Sequence, residues 1–61
     1  MSYVQTVYVW DKPYKITVDQ KSKSVWVARG DYEGQSIEGK GASMGAAVIR
    51  WRETAQYRGN G

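Results

Sequence analysis

The chain has 61 residues, 41% of them hydrophobic, and its nine lysines and arginines outnumber its six aspartates and glutamates to give a net charge of +3. Because cysteine and histidine are both absent, the composition excludes disulfides, the common zinc and iron ligand sets and any catalysis that needs a thiolate or an imidazole base. A domain this small has a thin core that usually needs reinforcement, and self-association is the reinforcement that remains.

The first predicted elements are two β-strands. Residues Tyr3–Trp10 are rich in valine, tyrosine and threonine, whose side chains suit a pleated surface. Asp11-Lys12-Pro13 is predicted to be a turn outside both strands, because proline has no N–H for a strand ladder. From Tyr14 to Asp19 apolar and polar residues alternate strictly, which indicates a strand with one buried face.

The middle of the chain predicts further strands. Val25–Arg29 is expected to pair with the preceding strand as a hairpin, joined to it by the polar connection Gln20–Ser24. Gly30–Gly34 suits a turn or a bulge, where glycine accepts a positive φ. Gln35–Glu38 is a candidate short fourth strand at the edge of the sheet. Gly39–Ala42 is predicted to be flexible because it contains two glycines.

One helix is predicted at the C-terminal end. Ser43 is a good N-cap because its hydroxyl can accept a hydrogen bond from an otherwise unpaired N–H group. Apolar side chains then recur with a helical period along a single stripe. They are Met44, Ala47, Val48, Trp51 and Ala55. The helix is expected to end near Tyr57 or Arg58, with Gly59 as a stop and Asn60–Gly61 frayed.

Together these elements predict one α+β domain over residues 1–61, with a three- to four-stranded antiparallel sheet followed by one C-terminal helix packed on one face. If Val7 and Val9 face the helix, then Tyr8 and Trp10 lie on the uncovered face. The alternation leaves open whether Trp26 faces the core or the uncovered face.

The uncovered face is the candidate contact surface. The chain has five tyrosines and three tryptophans, and aromatic rings interleaved with lysines on a sheet are typical of surfaces that stack on nucleic-acid bases. The same residue types are enriched in homodimer interfaces, and they also fill small cores with their polar tips at the rim. The candidate contact residues are Tyr8, Trp10, Lys12, Lys15, Thr17, Lys21, Lys23 and Arg29.

The sequence predicts no catalytic residues, no cofactor and no metal site. Asp31, Glu33 and Glu38 are expected in or beside a solvated turn, which is a poor setting for acid–base catalysis. Gly39–Ser43 leads glycines and a lysine into a helix start, as phosphate-binding loops do. However, Gly41 stands where the Walker pattern requires serine or threonine, so a plain loop and helix cap is the preferred interpretation, with a single phosphate contact as the alternative.

Several short motifs are spaced as in one known family of domains. They are Trp26-Val27-Ala28 in a strand, Asp31 in an acidic turn, Gly34 and Gly39 five residues apart, Ser43 as a cap, Ala47 as an inward-facing helical alanine and Glu53–Ala55 later in the helix. In this respect residues 16–55 resemble the HicB-like family of small antitoxin-type domains. The resemblance implies a regulatory fold that acts by binding.

These observations predict a small non-enzymatic binding or regulatory module that acts as a homodimer through protein–protein contact. The alternative is a nucleic-acid-binding domain that uses the basic aromatic face of the N-terminal hairpin. Residues 1–10 lack a basic region followed by an unbroken apolar run, and no stretch approaches the ~20 apolar residues that cross a bilayer. We therefore expect a cytoplasmic protein without membrane association.

Overall fold

The computed structural model describes the backbone of residues 2–59 and the side chains of residues 2–57. Five elements follow one another in the chain: β1 (Ser2–Val9), β2 (Lys12–Ser22), β3 (Val25–Tyr32), β4 (Gln35–Gly41) and α1 (Met44–Gly59). The strands form one antiparallel sheet in the order β1-β2-β3-β4, and α1 packs on one of its faces. The predicted α+β fold with a C-terminal helix is confirmed, and the sheet has four strands.

The registers of the three strand pairs determine which side chains share a face of the sheet. β1 pairs with β2 without interruption over all eight of its residues. The register of β2 with β3 shifts between Gln20 and Ser22, so that Lys21 is an extra residue in a β-bulge. β3 pairs with β4 continuously from Trp26 opposite Gly41 to Tyr32 opposite Gln35. Residues opposite each other point to the same face.

The β1–β2 turn differs from the prediction because it is shorter. Trp10 and Asp11 alone connect the strands, both with positive φ (52° and 65°). The expectation that Pro13 lies outside the strands is wrong, since β2 begins at Lys12. Proline is tolerated there because the register of β2 with β3 begins only at Thr17. At Pro13, β2 therefore pairs only with β1. The missing N–H of proline can face the other, unpaired side of the strand.

The next two turns are also shorter than predicted. The expected connection Gln20–Ser24 belongs to β2 as far as Ser22, and only Lys23 and Ser24 form the turn. The expected turn Gly30–Gly34 belongs to β3 as far as Tyr32. The β3–β4 turn consists only of Glu33 and Gly34, with φ of 51° and 82°.

The expectation that Gly39–Ala42 is flexible is wrong for its first three residues, which continue β4 to Gly41. The reason is the close approach of α1. A Cβ atom on Gly39 would lie 2.6 Å from the backbone nitrogen of Trp51, and one on Gly41 would lie 2.5 Å from the backbone nitrogen of Ala47. Glycine is required in β4 because the helix backbone lies directly on the strand.

The predicted helix face and cap are both confirmed. Ala47, Trp51 and Ala55 are fully buried, and the partly buried Met44 and Val48 pack against the same cluster. The cap is formed because the amide of Ala46 donates to Ser43 Oγ (3.2 Å) and that of Ala47 donates to the Ser43 carbonyl oxygen (3.0 Å). The helix continues to Gly59, slightly beyond the expected end. The predicted fraying of Asn60–Gly61 lies outside the described residues.

The structure settles the orientation of Trp26. It lies opposite Gln20 and Gly41 on the helix side, partly buried, with its ring centroid 6.0 Å from that of Tyr3. The neighbouring Val27 points to the other face and is nevertheless only 3% exposed. Both faces of β3 are therefore apolar at this point.

Candidate functional site

The face that α1 leaves uncovered is the candidate contact surface, and we call it the open face. The strand registers place sixteen side chains on it. They are Ser2, Val4, Thr6 and Tyr8 from β1; Pro13, Lys15, Thr17, Asp19 and Ser22 from β2; Val25, Val27, Arg29 and Asp31 from β3; and Ser36, Glu38 and Lys40 from β4. The helix contributes nothing to this side because all its packing is on the opposite face.

The structure divides the eight predicted contact residues among several locations. Half of them share the open face, namely Tyr8, Lys15, Thr17 and Arg29. Trp10 lies in the β1–β2 turn, not on a strand, and Lys12 lies opposite Val9, on the helix side. Lys21 occupies the bulge and Lys23 the β2–β3 turn.

Distance also separates the basic residues. Lys12 and Lys23 lie at opposite ends of β2, which has 11 residues and therefore extends for roughly 30 Å or more. The longest dimension of the molecule is 34 Å. The predicted basic residues therefore do not form one compact patch.

The charges on the open face balance. Three basic side chains (Lys15, Arg29 and Lys40) share it with three acidic ones (Asp19, Asp31 and Glu38). Arg29 Nε donates to Glu38 Oε2 at 3.0 Å across the β3–β4 pair. Asp19 accepts a hydrogen bond from the Ser2 hydroxyl. Because both partners of the Arg29–Glu38 pair are about half exposed, the pair contributes only ~0–1 kcal/mol, but it neutralises the central cation of this face.

The most exposed apolar residues of the open face lie along β1, whereas Val25 in β3 is 38% exposed. Val4 is 68% exposed and Tyr8 is 62% exposed, and both project from the same side of this strand with Thr6 between them. Trp10, 58% exposed, follows in the adjacent turn. Large apolar side chains with this much exposure on one strand are typical of a surface that contacts another macromolecule.

An aromatic cluster on the helix side agrees with the interpretation that tyrosine and tryptophan fill the small core, but the sequence placed its member Tyr32 in a turn and not in a strand. The ring of Tyr14 lies 4.9 Å from that of Tyr32 and 6.4 Å from that of Trp51. The Tyr14 hydroxyl donates to Glu33 Oε1 at 2.9 Å, and Trp51 Nε1 donates to the carbonyl oxygen of Ile37 at 3.1 Å. The sequence did contain a signal for Tyr32. If Glu33 and Gly34 form a two-residue hairpin turn, Tyr32 lies opposite Gln35 and points to the same face as Gln35 and Ile37.

The environment of Tyr14 favours its protonated form. Desolvation raises the pKa of the hydroxyl above its ordinary value, and the hydrogen bond to Glu33, the negative charge of Glu33 and the neighbouring Tyr32 raise it further. The cluster thus closes the β1–β2 end of the core, with the Tyr14 hydroxyl at the exposed rim and the Trp51 N–H buried against β4.

The polar and charged side chains of the described residues lie at or near the surface. Over residues 2–57, none of the buried side chains is polar or charged, and no group of three acidic, histidine or cysteine residues is arranged to hold a metal ion. A depression beside α1 is lined by Arg50, Glu53, Thr54 and Tyr57, which all belong to one helix and cannot enclose a ligand. Within the described part of the chain, no helix is both long and apolar enough to cross a bilayer.

The glycine-containing segment before α1, Gly39–Ser43, packs against the helix and caps it. The first-turn amides of Ala46 and Ala47 already donate to Ser43, and Gly41 lies against the backbone of α1. These contacts satisfy the helix terminus from within the chain and favour the loop-and-cap interpretation of Gly39–Ser43.

Comparisons with models of known families, with curated proteins and with solved structures found no significant match to this chain. The resemblance to the HicB-like family therefore stays a prediction. Of the residues that carry it, Trp26-Val27-Ala28 lies in β3 as expected, but Asp31 also lies in β3, not in a turn. Gly34 lies in the β3–β4 turn and Gly39 in β4.

Proposed function

We propose that the protein is a small, non-enzymatic binding module of the cytoplasm that acts as a homodimer through protein–protein contact. The observation that carries the proposal is the exposure of Val4 and Tyr8 on the face of the sheet opposite α1. A domain with a core this thin gains stability when it buries such residues against a second chain.

A protein partner suits the open face better than a polyanion does. Its three cations are matched by three anions, and the Arg29–Glu38 ion pair occupies its centre. Binding to phosphates requires an excess of cations on the contact surface. Mixed charges around exposed valine and aromatic residues instead provide the complementary polar rim and apolar centre of a protein interface.

Sedimentation equilibrium tests the homodimer directly. We expect a species of about twice the chain mass of 6.9 kDa at micromolar concentration, dissociating on dilution as mass action requires. A single species of the monomer mass at every concentration would contradict this part of the proposal.

Nucleic-acid binding is the second candidate, because one end of the N-terminal hairpin combines exposed aromatic and basic residues. Tyr8 and Trp10 are both more than half exposed, and Lys12 and Lys15 follow them in the chain. Bases could stack on such rings while lysines neutralise the adjacent phosphates.

A salt titration of single-stranded and duplex oligonucleotides tests this second candidate. If it is correct, affinity falls steeply as salt rises, with a log–log slope near −0.9 for each duplex phosphate contacted. Trp10→Ala should weaken binding, whereas Tyr57→Ala on the outer side of α1 should not. Absence of any gel retardation at about 50 mM salt would exclude the candidate.

A further inference from the structure

β1 is a sheet edge without the protection that edge strands normally carry. Its eight residues, Ser2–Val9, contain no charged residue and no proline, and its register with β2 has no bulge. Edge strands usually carry at least one of these features, since an unprotected edge offers a row of backbone groups to another strand. In the described part of the chain, no strand lies beyond β1.

The opposite edge of the sheet shows the contrast. β4 carries Glu38 and Lys40, and the backbone of α1 lies directly on its glycines. The helix packs mainly over β4 and β3 and much less over β1. The β4 edge therefore carries features that disfavour pairing with another strand, whereas the β1 edge stays accessible to one.

The backbone of β1 has the geometry that strand addition requires. A two-residue turn connects Val9 to Lys12, and such a turn closes on a hydrogen-bonded pair. Hydrogen-bonded and non-hydrogen-bonded pairs then alternate along the hairpin. It follows that the N–H and C=O groups of Val4, Thr6 and Tyr8 point away from β2, towards the accessible edge.

From these observations we infer that two copies of the chain join through antiparallel pairing of their β1 strands, with Thr6 opposite Thr6 of the second copy. The product is a continuous eight-stranded sheet with both helices on one side and both open faces on the other. This inference rests on the proposed homodimer and specifies how it forms.

The sequence of β1 is complementary to itself in this register. Val4 lies opposite Tyr8 of the second copy, and the two-fold axis repeats the pair, so each exposed valine meets an exposed tyrosine. Pairs of aromatic and β-branched residues are favourable across antiparallel strands. A register centred on Gln5 would instead place Val4 opposite Thr6. Since β1 has no charge, the two-fold axis brings no like charges together.

A matched pair of lysine substitutions tests the inference. Thr6→Lys places two ammonium groups opposite each other at the two-fold axis and should convert the dimer into a folded monomer, as measured by sedimentation with circular dichroism as the check on folding. Ser36→Lys adds the same charge on the open face of β4, at the opposite edge of the sheet, and should leave the dimer intact. Dissociation by Ser36→Lys but not by Thr6→Lys would overturn the inference in favour of a face-to-face dimer.

Disulfide trapping provides a second measurement that does not depend on how the lysine variants fold. The natural chain contains no cysteine, so a single Thr6→Cys variant can crosslink only to its counterpart, and opposite strand residues lie within the Cα–Cα range of a disulfide. We expect Thr6→Cys to form a covalent dimer on mild oxidation and Ser36→Cys, at the opposite edge of the sheet, to remain uncrosslinked.

The outcomes separate this inference from the proposed function. A wild-type dimer whose Thr6→Cys variant fails to crosslink would overturn the β1 pairing while leaving the homodimer standing. A wild-type monomer would overturn both. A monomer that instead binds extended peptides along β1 would assign the edge to a different partner and would equally contradict pairing between copies.

Discussion

Gly39 illustrates how a single residue can set the distance between two elements. The backbone of α1 lies so close to β4 that a Cβ atom at this position would be 2.6 Å from Trp51 N and 3.0 Å from the Ala47 carbonyl oxygen. Backbone atoms cannot move aside as a flexible side chain does, so the helix itself would have to shift. Gly39→Ala should therefore destabilise the fold by about 1–3 kcal/mol, measured by urea unfolding.

Gly45 provides the matched control for that substitution. It lies in the first turn of α1, and a Cβ atom there would have no neighbour within 4 Å. Gly45→Ala should stabilise the domain by up to about 1 kcal/mol, because alanine has the higher helix propensity. If both variants lose the same amount of stability, close packing at Gly39 is not the reason for its glycine.

Tyr14 gives the domain a pH-dependent contribution to stability in the alkaline range. Desolvation and the contact with Glu33 raise the pKa of its hydroxyl in the folded state. The contribution is complete below the unfolded tyrosine pKa of about 10 and is lost as pH rises through the higher folded value. We therefore expect Tyr14→Phe to reduce the decline of the urea midpoint above about pH 9 relative to the unmodified chain. An identical decline in the variant and the unmodified chain would contradict this assignment.

At the scale of elements, the β1–β2 turn departs most from what its residues prefer. Two-residue hairpin turns with positive φ at both positions favour Asn-Gly, yet this turn contains Trp10 and Asp11. Replacing them together (Trp10→Asn, Asp11→Gly) should stabilise the hairpin by about 1 kcal/mol by relieving backbone strain. Thermal unfolding would measure the gain.

The β2–β3 turn serves as the control for this substitution. Lys23 and Ser24 are not among the residues with positive φ, so Lys23→Asn with Ser24→Gly should not stabilise the chain.

A tryptophan held in a strained and exposed position is compatible with a contact role for Trp10, since strain of this kind is commonly retained at binding sites.

The existence of the elements could be predicted from the sequence more easily than their ends. The strict alternation of apolar and polar residues in β2 and the apolar helical stripe around Trp51 each predict an element with one buried face. The structure confirms both. Proline and glycine were interpreted as signs of a turn, but their effect depends on what lies beside them. Pro13 lies where β2 has one neighbour, and Gly39 and Gly41 lie under a helix. Sequence periodicity carries no information about such neighbours.

At the scale of the whole molecule, the distribution of charged side chains was the least predictable feature. Basic residues are concentrated in the first half of the chain, but strand alternation places Lys12 on the helix side and Lys15 on the open face. The bulge at Lys21 then shifts the alternation of β2 relative to β3. A charge count over a segment therefore cannot predict the charge of a surface when the segment forms strands.

One buried side chain, Trp51, connects the helix to the sheet, and we predict that the whole fold depends on it. Trp51 is fully buried, contacts the rings of Tyr14 and Tyr32 and donates its indole N–H to Ile37 in β4. Truncating a buried tryptophan to alanine costs ~3–5 kcal/mol, which equals the entire contribution of ~3–5 kcal/mol expected from a single core of this size. Trp51→Ala should therefore unfold the domain at room temperature.

Circular dichroism and tryptophan fluorescence would measure this loss, with Trp10→Ala as the control. Trp10 is 58% exposed, so its truncation removes little buried area and should leave the circular dichroism spectrum and the melting curve nearly unchanged. The comparison also bears on the proposed homodimer, because binding between folded chains adds stability that grows with concentration. If Trp51→Ala recovers its folded spectrum as concentration rises, association is compensating for the weakened core. A folded Trp51→Ala monomer would show that the stability of the sheet does not come from α1.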